Sequence, residues 1–455
     1  MSRPQGEELP EREGMKRGMK REKHFSRALF TTDRAMEFFT ERELTTQFGY
    51  GKSLWPLVLA KELIDNGLDA CESTDVTPEI VVTLEPDSFT VSDNGPGLKP
   101  EIIDRSLDYH VRISDKKYYV SPTRGQLGNA LKCLWAAPFV AHGDHGLIEV
   151  TGCGWYHRIE VRLDRIAQVP NISHHKARLV RKGTCIKVHW TGIASVEAQD
   201  RNAEFYQAKT VAAALRNLVV DFSALNPHAA FKLALPNGKV STFPASDPGW
   251  RKWRTSQPTS AHWYTPEDLR ALIAANIKRG KHTTLRDFIG EFDGLSETQY
   301  RKRVLTEAGL SASYLEDLVE DGDVGIAAVE RLLVAMQQAS RPVKPQRLGV
   351  IGKEHLQAAL VALGVHPEGF TYRKGAGIGK DGLPFVVEVA FGVTTGGRKR
   401  LIVGLNHSPV FKVPSGHLSD VLTDCHVQRH DPVALLIHQG CPRFMFTDHG
   451  KGAIA

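Results

Sequence analysis

The chain has 455 residues, of which 41% are hydrophobic and 24% charged, and a formal net charge of +6. That length predicts about two to four domains, each able to bury a core, and the balance is that of a globular protein, not of a disordered or fibrous one. No stretch reads as a signal peptide or a membrane-spanning helix, so a cytoplasmic protein is expected, and six cysteines without C-x-x-C spacing exclude a zinc ribbon and a secreted disulfide framework.

Taken in chain order, residues 1–35 form a polar, basic arm without hydrophobic periodicity. Residues 36–235 mix helical patterns at 55–72 and 204–222 with strand patterns at 80–91, 147–152, 156–163 and 184–190, which predicts a two-layer α+β domain. Between 240 and 350 the apolar positions take helical spacing (Leu285, Phe288, Ile289, Phe292, and later Val329, Leu332, Leu333), the mark of a small helical module. From 351 to 455 the pattern returns to strands, PFVVEVAF at 384–391 and KRLIVGLN at 399–406, with helical candidates near 353–363 and 415–423.

The first chemistry lies in KELIDNGLDA, residues 61–70. With Glu62 at zero on a helical wheel, Asn66 falls at about 40° and Asp69 at about −20°, while Ala60, Leu63, Ile64, Gly67, Leu68 and Cys71 occupy roughly 100° to 240°. An apolar stripe is therefore expected to pack inward and a carboxylate–amide–carboxylate row to face outward, where it suits water and a metal ion. The second lies in SDNGPGL, residues 92–98. Asp93 is expected at a strand end, followed by Gly95 and Gly97, which let backbone approach a flat ligand while the carboxylate accepts from an exocyclic amine such as that of adenine.

A third piece, TRGQLGNALK at 123–132, reads as a glycine-containing loop opening a helix, so that the N–H groups of Gly125, Gln126, Leu127 and Gly128 can converge on a phosphate. Thr184, ahead of the strand CIKVHW, is a candidate for the base-recognising network. Basic stretches at 17–27, 116–117, 277–282 and 396–400 are either solvated faces or contacts to polyanions such as DNA. Cys425, His426, His430, His438, Cys441 and His449 are metal-capable, but their intervals match no familiar ligand pattern. The DGD at 321–323 is expected to be a turn.

These residues resemble the GHKL ATPases: Glu62, Asn66, Asp69 and Ala70 match the N-box, Asp93, Gly95 and Gly97 the first glycine box, and Arg124 to Gly128 the ATP-lid box. Within that superfamily, KELIDNGLDACE, the lid, NPHAAF at 226–231, LGVIG at 348–352, LPFVVEV at 383–389 and the final segment 437–455 are most similar to the B subunits of type IIB DNA topoisomerases, over the chain from about residue 40 onward. The resemblance implies a Bergerat-type two-layer ATPase sandwich, then a helix-two-turns-helix-like module, then an S5-like transducer domain. It implies Glu62 as general base, Asn66 as a Mg2+ ligand, and Asp93, Gly95, Gly97 and Thr184 around adenine. Asp69, Arg124, Gly125, Gln126, Leu127, Gly128 and Lys132 would belong to the nucleotide site, and Lys451 would be the transducer lysine that reaches the γ-phosphate.

The implied activity is ATP hydrolysis, with Mg2+, by a subunit that dimerises on ATP around double-stranded DNA and works with a separate DNA-cleaving A-type subunit. Leu127 stands where the family usually has a second glutamine. The sequence continues only four residues past Lys451, so neither the family's long C-terminal helix nor cleavage machinery is expected within it. A stand-alone ATP-dependent DNA clamp in defence, repair or chromosome organisation is the alternative.

Overall fold

The computed structural model describes residues 34–110, 118–124, 130–164, 166–167, 169–198, 208–310, 313–396, 399–412, 416–428 and 431–444. A short 3-10 helix, Arg34–Phe39, leads into α1 (Glu41–Phe48), whose N-cap Thr40 accepts from the Glu43 N–H. The long α2 (Trp55–Ser73) starts with proline in its first turn, where the missing N–H costs nothing. Next come β1 (Glu79–Glu85), β2 (Ser88–Ser92), α3 (Pro100–Ser106), α4 (Ala130–His142), β3 (Gly146–Gly152), β4 (Trp155–Asp164), β5 (Val169–Arg178), β6 (Cys185–His189), α5 (Val211–Leu225), β7 (Ala230–Ala234) and β8 (Val240–Phe243).

These eight strands make one sheet in the order β5-β4-β3-β6-β2-β1-β7-β8, antiparallel except for the β1–β7 pair. The period of two is plain across the rungs. Val82, Val91, Ile186, Val150 and His157 stand in register on the covered face, whereas Thr90, Lys187, Glu149 and Arg158 form a rung of the other face with alternating charge. Helix α2 packs on β1 and β2, α4 on β3 and α5 on β7, and α2 touches both other helices. Trp55, Trp135, Phe89 and Phe222 are fully buried between the layers. The expected two-layer α+β sandwich is thus present.

The second region is helical: α6 (Pro266–Lys278), α7 (Leu285–Gly290), α8 (Thr298–Glu307) and α9 (Ile326–Ala339). A capping box between Thr265 and Asp268 starts α6. Two short strands, β9 (Val319–Glu320) and β10 (Asp323–Val324), are joined through Asp321 and Gly322 at φ 51° and 83°, so the DGD is a hairpin turn. Phe288, Phe292, Leu332, Met336 and Trp253 belong to this region's core.

The third region contains α10 (Lys353–Ala362), β11 (Thr371–Ile378), β12 (Pro384–Val393), β13 (Arg400–Leu405), β14 (Ser408–Pro409), α11 (Gly416–Asp424) and β15 (Val433–Gly440), with sheet order β11-β12-β15-β13-β14. Its core of Leu356, Leu360, Ala390, Ile402 and Leu436 also contains Ala224 and Leu225 of α5, so the first and third regions share apolar contacts.

Three expectations need correction. A boundary at 240 falls at the start of β8, which pairs with β7 in the first sheet; its alternating, half-exposed edge pattern hides it in sequence. The helix expected at 204–222 is Val211–Leu225, where Thr210 caps it by accepting from the Ala213 N–H. Strand β5 was not expected at all, because its exposed His, Lys and Arg residues lack an apolar alternation. Among the described residues no helix is long and apolar enough to cross a membrane.

Candidate nucleotide site

Helix α2 buries the expected stripe of Ala60, Leu63, Ile64, Gly67, Leu68 and Cys71. On its far side Glu62 is half-buried and Asn66 exposed, as the wheel predicts. Asp69 does not follow. It is buried, and its Oδ1 accepts from Arg124 Nη1 at 2.9 Å. A wheel knows only one helix, whereas here a second layer covers α2. Arg124, Lys252, His228 and the β13–β14 turn lie over the face that carries Asp65, Asp69 and Glu72.

Asp93 sits just past β2, and backbone N–H groups hold its carboxylate. Oδ1 accepts from the N–H of Gly95 at 2.9 Å and of Thr184 at 3.1 Å, while the Asp93 N–H donates to the Thr184 carbonyl at 2.9 Å. The Thr184 side chain also hydrogen-bonds this carboxylate. Burial pushes the Asp93 pKa up, against the pull of those N–H donors. Backbone around it is tightly drawn. Gly97 has φ 91°, and a Cβ there would come 2.8 Å from the Cys153 nitrogen; at Gly183, φ 75°, it would come 1.8 Å from the Asp93 carbonyl oxygen. A carboxylate beside side-chain-free backbone fits a flat purine bearing an exocyclic amine.

Gly67 joins the two motifs, because a Cβ on it would come 3.2 Å from Asp93 Cβ. The helix carrying Glu62 and Asn66 therefore runs directly past the aspartate. Lys61 Nζ reaches 2.9 Å from Asp65 Oδ2 and 3.6 Å from Glu62 Oε1.

Arg124 was expected in the nucleotide site; its guanidinium is wholly buried, donating to Asp69, to both oxygens of Glu72 at 2.9 Å, and to Asn226 Oδ1. Its two terminal nitrogens thus serve buried acceptors of α2 and Asn226. Burial alone would raise the Glu72 pKa, but Arg124, Lys252 and His228 hold it well below the usual carboxylate range. Lys252 Nζ lies 2.9 Å from Glu72 Oε2, an ion pair by distance without hydrogen-bond alignment, and burial lowers the Lys252 pKa. Lys132 is also buried: its ammonium donates to the Asp108 carbonyl and lies 5.5 Å from the Tyr109 ring centre. Gly125, Gln126, Leu127, Gly128 and Lys451 lie outside the described residues.

Sequence reasoning missed Asp65, Glu72, Asn226, His228, Lys252 and the close approach at Gly67. One signal was available. Asp65, Asp69 and Glu72 are spaced i, i+4, i+7, an acidic row on a single helical face that demands a cation from elsewhere.

A two-layer α+β sandwich with an aspartate at a strand end, passed by a helix bearing a glutamate and an asparagine, is what the chain's resemblance to the GHKL ATPases implies. In sequence the chain resembles the type 2 DNA topoisomerase 6 subunits B. It is 24% identical over 315 residues to that of Pyrococcus furiosus, covering 67% of this chain and 51% of the relative. To that of Archaeoglobus fulgidus it is 24% identical over 350 residues, covering 75% and 54%. The chain thus spans about half the length of the curated relatives it matches. No family model matches it. The crystal structure of the 43K ATPase domain of Thermus thermophilus gyrase B in complex with an aminocoumarin superposes with TM-score 0.32 at 13% identity, over 87% of this chain and 78% of that one.

Proposed function

We propose that the chain binds and hydrolyses ATP and acts as the ATP-gated, B-subunit-like component of a type IIB topoisomerase machine. The observation that carries this is the Asp93–Gly67 contact. It puts a carboxylate whose Oδ1 is fixed by two backbone N–H groups against the helix that bears Glu62 and Asn66. Asp93 Oδ2 accepts from the adenine amine, with Thr184 and Gly95 holding its other oxygen, and Gly97 gives the base room. Glu62 orients the attacking water and takes its proton.

Among the described residues no group of three or more His, Cys, Asp or Glu is arranged for a metal ion. The exposed Asn66 amide oxygen is the group that would hold a Mg2+ ion brought in with ATP, and the ion would supply charge neutralisation at the phosphoryl group. Gly125, Gln126, Leu127 and Gly128 belong to the lid over the phosphates, and Lys451 is the sensor of the γ-phosphate.

The partners are a second copy of the chain, joined on ATP binding, double-stranded DNA between the two copies, and an A-type subunit that cuts. The names of the relatives, type 2 DNA topoisomerase 6 subunits B, support a topoisomerase subunit of this kind. ATP titration and turnover on the purified chain test it: an ATP-dependent signal lost in Asp93→Asn, and turnover lost in Glu62→Ala, are expected. A chain that neither binds nor hydrolyses ATP would end the proposal.

A further inference from the structure

The hairpin between β13 and β14 turns through Asn406 and His407, at φ 48° and 65°, yet both residues are buried. Asn406 is clamped at both ends of its amide: Nδ2 donates to the Cys441 carbonyl and Oδ1 accepts from the Cys441 N–H, each at 3.0 Å. The turn is thus pinned to the residue that follows β15, and what protrudes from it is placed rigidly.

Two contacts leave this turn for the ATPase layer. The Ser408 hydroxyl donates to Asp65 Oδ2 on α2 at 2.7 Å. The His407 carbonyl accepts from Asn226 Nδ2 at 2.9 Å, and Asn226 Oδ1 in turn accepts from Arg124. Asp65 Oδ2 is also the oxygen that accepts from Lys61, whose ammonium lies beside Glu62. Ser408, Asp65, Lys61 and Glu62 therefore form a continuous polar chain with steps of 2.7, 2.9 and 3.6 Å.

We propose that Ser408, Asp65 and Lys61 are positioning residues that set the Glu62 carboxylate for the attacking water, so that the seating of the third region tunes ATP turnover. This rests on Glu62 being the base. A lysine ammonium on a four-carbon stem has no fixed place of its own. Here it is shared between a buried carboxylate and Glu62, and the share depends on Ser408. Without the hydroxyl, the buried Asp65 oxygen loses one of its two hydrogen bonds and draws Lys61 inward, away from Glu62. Lys61 touches Glu62 from the preceding position, so no large rearrangement is needed for the effect to reach it.

Steady-state ATPase kinetics and nucleotide titration on the full chain test the relay. Ser408→Ala and Lys61→Met are each expected to lower kcat about tenfold or more, with KM and nucleotide affinity within about twofold, as small misplacements of catalytic groups do. Ser408→Thr, which keeps the hydroxyl, restores kcat. The Ser408→Ala/Lys61→Met double variant is no slower than Lys61→Met alone, because both act through the same ammonium. Glu62→Ala separates the two ideas. If it hydrolyses at the wild-type rate, the base assignment is wrong. If it is inactive while Ser408→Ala and Lys61→Met keep wild-type kcat, the base stands and the relay falls. Additive losses, or failure of Ser408→Thr to restore turnover, overturn the relay as well.

Discussion

Gly67 and Asp93 are 26 positions apart in number yet in contact: a Cβ on Gly67 would come 3.2 Å from Asp93 Cβ, 3.4 Å from Asp93 Oδ2 and 3.1 Å from Ile80 Cδ1. A glycine inside a nineteen-residue helix costs helical stability, about 1 kcal/mol against alanine. What it obtains is the closeness of α2 to Asp93, the carboxylate proposed to recognise the base. Gly67→Ala should therefore bind ATP more weakly while changing overall stability by less than about 1 kcal/mol, since the helical gain offsets the crowding. Gly67→Val should abolish binding. ATP titration beside urea unfolding checks both; unchanged affinity in the valine variant would mean that the contact has no bearing on the nucleotide.

Gly183 is the stricter position. Its φ of 75° and the 1.8 Å approach of a Cβ to the Asp93 carbonyl leave no room for any side chain. Gly183→Ala should destabilise the fold by about 2 kcal/mol or more and remove ATP binding, through forced displacement of the 183–184 backbone from Asp93. Wild-type thermal stability in this variant would contradict the drawn backbone.

Arg124 closes an acidic row of Asp69 and Glu72, with Asp65 at 3.7 Å. Its removal leaves buried carboxylates uncompensated, so Arg124→Ala should cost about 3–5 kcal/mol. Arg124→Lys should recover only part of that loss, because an ammonium cannot fork between three partners. Urea denaturation of the purified variants reads this directly.

The buried cluster also sets a pH profile. Glu72 has a folded pKa well below its ordinary 4.5, so its stabilisation is present above that value and is lost as pH falls through the lower, folded one. Burial, with His438 alongside, holds the His407 pKa well below 6.5, so unfolding takes up a proton in the window below 6.5 and stability falls there too. Stability is expected to decline first below about pH 6.5 and again in the acid carboxylate range. His407→Asn should lessen the first decline, which His228 and His355 also feed, and Glu72→Gln the second, as followed by melting temperature against pH.

The gate itself predicts an oligomeric change. Sizing of the chain with a non-hydrolysable ATP analogue should give a dimer, and without nucleotide a monomer. A monomer under both conditions would remove the gating part of the proposal while leaving ATP hydrolysis untouched.

Much of the site was legible because short-range rules govern it. Helical spacing orders Glu62, Asn66 and the apolar stripe of α2, and strand alternation followed by two glycines marks Asp93. Asp69 was misjudged and Asp65 overlooked for the same reason: each depends on a partner outside its own helix. Arg124 lies fifty-five positions from Asp69, and Ser408 three hundred and forty-three from Asp65. No local pattern encodes which cation or hydroxyl comes to rest there.

The sequence by itself determined the elements and the chemical inventory: an acidic, amide-bearing helix, an aspartate at a strand end, and glycines where backbone must come close. Local sterics and hydrophobic period suffice for that. Tertiary structure alone decided which carboxylates on α2 face outward and which are buried under Arg124 and Lys252. It also decided that a turn of the third sheet reaches the helix beside Glu62. Buried charges must find partners wherever the packed chain supplies them, and that supply is settled only when distant segments share one interior.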